Sequence, residues 1–66
     1  MQKNSWIKFM YRQLGDKGMF SYHTASGYVD RVYPNGDFKV SVSTNFGNLI
    51  YISHVAVVGA ITERAS

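Results

Sequence analysis

Cysteine is absent from the 66 residues, so no disulfide staples the chain and no thiol serves as nucleophile or metal ligand. Two histidines and four scattered carboxylates give no cluster with zinc spacing, and no bound metal is expected. No glycine-rich phosphate loop is present. Asp16, Asp30, Asp37 and Glu63 show no paired spacing for acid–base work. So short a chain leaves little room to bury and orient the third member of a Ser-His pair. The sequence therefore predicts a binding protein, with no catalytic residues and no cofactor. Long apolar runs are lacking too. The longest near the C-terminus, Val55 to Ile61, is far too short to span a bilayer, and the N-terminus lacks a signal-peptide pattern. A cytoplasmic protein without membrane attachment is the expectation.

The length allows one domain, residues 1–66, and places it near the lower limit for a self-sufficient core. Small natural domains recover stability from disulfides, a metal or oligomerisation. With the first two set aside, self-association is expected. The net charge of +3, from seven Lys and Arg against four Asp and Glu, is compatible with a polyanionic partner.

What the sequence does hold is a period of two. Ile7 to Arg12 alternates as a half-buried strand does. Leu14 to Gly18 forms a turn. Met19 to Tyr33 is rich in strand formers, with Gly27 marking a bulge or sharp bend. Only the first dozen residues could start as a helical turn. Pro34-Asn35-Gly36-Asp37 is the strongest turn, with Asn-Gly accepting positive φ. Phe38, Val40 and Val42 then face one way and Lys39, Ser41 and Ser43 the other. Thr44 to Asn48 reads as another turn. Leu49 to Ile52 and Val55 to Val58 are short apolar runs broken at Ser53-His54. This order predicts an all-β fold, a small, strongly bent five-stranded barrel of the SH3-like or Sm-like kind over about residues 6–59. Residues 60–66 read as a polar tail.

From Gly27 onward, the spacing Gly27, Val29, Val32, Phe38 and Val40 resembles the first motif of the Sm and LSm family of RNA-binding ring proteins. Leu49-Ile50-Tyr51-Ile52-Ser53-His54-Val55 resembles the bacterial host-factor form of the second. The match covers about half of the 66 residues. Departures are definite: the family's turn aspartate falls on Tyr33, its methionine on Gly36, its base-contacting asparagine on Asp37, and the lysine before the histidine on Ser53. The family's N-terminal helix is missing or reduced. The resemblance implies a cyclic homo-oligomer that binds single-stranded RNA. Gly36 to Val40, Leu49 to Tyr51 and Val55 to Val58 are also similar to type II dihydrofolate reductases, but Leu49 stands where that pore has its glutamine.

The candidate RNA-binding residues are Tyr33, Asn35, Asp37, Lys39, Ser53 and His54. Asn35 and Asp37 also satisfy the turn, and His54 reads equally as a turn histidine. His23 reads as structural. Leu49, Ile50, Tyr51, Ile52, Val55 and Val57 are the expected oligomer interface, because a strand apolar on both faces needs a second chain to cover it. Trp6, Phe9, Phe20 and Phe38 are assigned to core or interface, and Tyr22, Tyr28 and Tyr33 to a half-exposed surface. Lys8, Arg12, Arg31 and Lys39 alternate with apolar residues, so several are expected to share an outer face, which reads equally as a binding face or a solvated one. The rival reading is an SH3-like protein-interaction module using Trp6 and the tyrosines as a peptide groove.

Overall fold

The computed structural model describes residues 1–42 and 48–64. Five strands follow one another: β1 (Trp6–Leu14), β2 (Phe20–Val32), β3 (Phe38–Val42), β4 (Leu49–Ile52) and β5 (Val57–Arg64). A 3₁₀ turn, His54–Ala56, separates the last two. All pairings are antiparallel, in the order β4-β3-β2-β1-β5. The fold is all-β. Among the described residues no ladder joins β4 to β5, so the sheet is open and has two edges. The expected turn at Thr44 to Asn48 falls, apart from Asn48, outside the described residues.

The period of two places one side chain in two on the inner face. Ile7 and Phe9 from β1, Ala25 and Val29 from β2, Phe38, Val40 and Val42 from β3, and Ile52 from β4 form the core. Tyr11, Ile50, Val57 and Ile61 pack against it half-buried. Phe9 and Phe38 meet edge to face, with ring centroids 5.4 Å apart. No second layer covers this face, so the sheet buries it by curling over itself. Two irregularities accompany the curl. One lies in the β1–β5 ladder between Lys8 and Met10, opposite the stretch where Gly59 takes a φ of +74°. The other lies in the β2–β3 ladder between Val29 and Arg31, where Asp30 is the extra residue.

Gly27 is not a bulge. It pairs in register with Ile7 on one side and Val42 on the other. Its role is close approach: a Cβ there would lie 1.9 Å from the carbonyl oxygen of Ser41. Residues 60–64 are not a tail either, for β5 continues to Arg64, opposite Trp6. The sequence there looked polar because, of residues 60–64, only Ile61 packs against the core. No helix forms at the N-terminus. Asn4, at a φ of +73°, donates its N–H to the Val29 carbonyl at 2.7 Å, and Val29 donates to the Ser5 carbonyl at 2.9 Å. No helix among the described residues is long and apolar enough to cross a membrane.

Candidate nucleic-acid interface

The β2–β3 connection builds one end of the sheet. Gly36 donates its N–H to the Tyr33 carbonyl at 3.0 Å, and Tyr33 donates to the Asp37 carbonyl at 2.8 Å. Gly36 takes a φ of +97°, and Asn35 does not join it in positive φ. Instead, the Asn35 side chain closes the turn: its Oδ1 accepts from the Asp37 backbone N–H at 3.0 Å. Residues near in sequence thus hold Asp37 locally.

Asp37 then gathers residues from β4 and the 3₁₀ turn. Its Oδ1 accepts the His54 backbone N–H at 2.9 Å and faces His54 Nδ1 at 2.7 Å. Its Oδ2 accepts from Asn35 Nδ2 at 3.0 Å and from the Tyr51 hydroxyl. Asp37 is only 6% exposed, and every one of these contacts favours the ionised carboxylate. The Tyr51 hydroxyl first, then the His54 backbone and side chain, hold its pKa well below the ordinary carboxylate range, against a smaller opposing effect of desolvation. The same bond raises the Tyr51 phenol above its usual value. An ionised carboxylate only accepts, so His54 Nδ1 carries a proton. The His54 ring is half-exposed, and Nε2 is not among the atoms that contact Asp37.

Of the six candidate RNA-binding residues, Tyr33, Asn35, Asp37 and His54 are thus brought together, with Lys39 beside them. The Tyr33 and Tyr51 rings lie 5.4 Å apart, the Arg31 guanidinium sits 5.1 Å over the Tyr33 ring, and Lys39 pairs with Tyr51 across β3–β4 and with Arg31 across β2–β3. Asp37 is corrected in role: its carboxylate is turned inward and engaged, so it positions its neighbours and offers no oxygen to a ligand. Ser53 lies elsewhere. It opens the 3₁₀ turn, accepting the Ala56 N–H at 2.9 Å, and lines a groove of about 300 Å³ with Tyr11, Leu14, Tyr51 and Ala56.

The expected interface residues divide by face. Ile52 is core, and Ile50 and Val57 pack against the core, so these side chains are buried by their own chain. Leu49, Tyr51 and Val55 are exposed. The apolar stretch that suggested burial on both faces is two edge strands with a turn between them. Trp6 and Phe20 also leave the core assignment, each standing on the outer face beneath an arginine. Tyr51, placed at the interface by sequence, is a central member of the cluster. Its partner is 14 residues away, and the only signal in the sequence was its alternation with Ile50 and Ile52.

No family model matches the chain, and no curated protein or solved structure matches it.

Proposed function

We propose that this protein is a small Sm-like binder of single-stranded RNA that assembles edge to edge into a homo-oligomeric ring. The observation that carries the reading is the cluster around Asp37. Two tyrosine rings, Arg31, Lys39 and the half-exposed ring of His54 stand together at one end of the sheet, on a hydrogen-bonded base. Aromatic rings stack unpaired bases and cations meet phosphates. The two open edges support the assembly. β4 and β5 leave unpaired backbone groups beside exposed Leu49, Val55 and Val58, and pairing β4 with a neighbour's β5 satisfies both edges at once and closes a ring. The curl of the sheet, which buries the core without a second layer, suits the barrel of this class.

A second reading has its own observation. The groove between Tyr11, Leu14, Tyr51 and Ala56 is apolar enough for a peptide side chain and favours an SH3-like interaction module. Trp6 does not line it. Light scattering on the purified chain, alongside titration of a labelled single-stranded oligoribonucleotide into wild type and His54→Ala, separates the two. A discrete multi-subunit mass with RNA affinity weakened at least severalfold in His54→Ala is expected. A monomer that ignores RNA would leave the interaction module.

A further inference from the structure

The outer face of the sheet carries a charge pattern that runs on beyond the turn cluster. Five of the seven Lys and Arg residues lie on it: Lys8, Arg12, Arg31, Lys39 and Arg64. Of the four carboxylates only Asp30, next to Arg31 in the bulge, is placed to share it. Asp16 is in the β1–β2 turn, Asp37 is buried, and Glu63 pairs opposite inward-facing Ile7. A merely solvated face mixes both signs.

The cations are also coupled to aromatic rings by register. Arg64 stands across from Trp6, Arg12 from Tyr22, and Lys39 from Tyr51. Cross-strand partners on one face lie about 5 Å apart. The Arg64 guanidinium sits 4.3 Å from the Trp6 ring centroid, and that of Arg12 sits 4.6 Å from the Phe20 ring. Trp6 is flanked on its other side by Tyr28, which is 58% exposed. Charges and flat rings thus stand together at the turn cluster, around Trp6 and on the β1–β2 arm, with Lys8 and Met10 between the last two. From Trp6 to Arg12 this is roughly 20 Å at about 3.3 Å per residue. A partner with alternating phosphates and bases fits this pattern. An acidic peptide supplies charge without stacking planes.

We infer that the outer sheet face, from Tyr51 and Lys39 over Trp6 and Tyr28 to Arg12 and Tyr22, is a binding platform for single-stranded nucleic acid that extends well beyond the turn cluster and shares only its Tyr51 and Lys39 end with it. The inference shares its ligand class with the proposed RNA-binding function but needs no ring, because all these residues belong to one chain.

Trp6 is the only tryptophan and lies in the middle of the platform, so its emission reports occupancy directly. The experiment titrates a 12-nucleotide single-stranded oligoribonucleotide (about that length) into the wild-type chain and the double variant Lys8→Gln/Arg12→Gln, following both Trp6 fluorescence and the anisotropy of labelled RNA over a range of salt. Both substitutions are at exposed positions, and circular dichroism checks that the sheet is retained. The platform predicts saturable quenching of Trp6. It also predicts a salt slope reduced by about 1.4 in the double variant, which is about 25-fold in affinity near 0.1 M salt if the two proteins converge near 1 M. RNA binding with unchanged Trp6 emission and an unaltered slope overturns the inference. If His54→Ala then abolishes that binding, the turn-cluster reading stands alone. Binding to anionic lipid vesicles without any RNA-dependent quenching also overturns it.

Discussion

Replacing Gly27 by alanine adds one methyl group at the point where β2 and β3 come closest. The new Cβ would lie 1.9 Å from the Ser41 carbonyl oxygen and 2.8 Å from its carbonyl carbon. Real Cβ atoms essentially never approach within 3.0 Å, so the strands must part by about 1 Å. The obstructing atoms are backbone, and no rotamer change relieves the clash. A 1 Å separation takes the neighbouring ladder bonds beyond hydrogen-bonding distance, at about 1 kcal/mol each. Overpacking adds about 1–3 kcal/mol. The sum, about 3–5 kcal/mol, equals the whole stability expected of a single core this small. Urea denaturation followed by far-ultraviolet circular dichroism should find Gly27→Ala largely unfolded without denaturant. Gly18→Ala is the control. Gly18 has a φ of +72° and open space around it, so only backbone strain of about 1–2 kcal/mol is expected. The sign makes the test decisive. A strand glycine with no close neighbour gains about 0.5–1 kcal/mol on becoming alanine, and a stabilised Gly27→Ala would refute the reasoning.

Asp37 sets the acid limit of the fold. Its folded-state pKa is depressed, so its stabilising contribution is complete above the ordinary carboxylate value, about 3.9. That contribution is lost progressively as pH falls below it toward the depressed value. Denaturation midpoints measured against pH should fall below about pH 4 in wild type and show a weaker dependence there in Asp37→Asn, which is less stable at neutral pH. Ile61→Ala should cost about 1–2 kcal/mol, below the roughly 2–5 kcal/mol of a fully buried aliphatic truncation, because the side chain is half-buried against the core. An unchanged urea midpoint would mean that the end of β5 contributes nothing. Phe38→Ala, at 1% exposure, should lose about 3–5 kcal/mol and fail to fold as a stable species.

The sequence made the strands legible wherever polar and apolar residues alternate strictly. Phe38-Lys39-Val40-Ser41-Val42 is such a case, and its alternation matches the burial found in β3. The turn at Pro34 to Asp37 was legible from residue type, since Gly36 needs positive φ and Asn35 can bond two residues onward. Edges were harder. β5 presents mostly exposed side chains, so the pattern from Ala60 to Arg64 lacks the apolar signal of a central strand and reads as a tail. Leu49 to Val58 misled in the opposite sense, because an edge strand, a turn and a second edge strand happen to be apolar in succession. Gly27 could be marked as special but not explained, since the atom that excludes a Cβ belongs to Ser41, on the next strand. The Asp37 cluster shows the same limit. His54 and Tyr51 approach it across 17 and 14 residues, and nothing local to Asp37 predicts that its charge is turned inward.

If aligned cations and rings hold single-stranded RNA, as we propose, the affinity of the wild-type chain for an unstructured oligoribonucleotide must depend steeply on salt. If the five outer-face cations all meet phosphates, the logarithm of the affinity should fall against the logarithm of salt with a slope of about −3.5, at about −0.7 per contact. Binding that is absent at low salt, or present with a slope near zero, would contradict it.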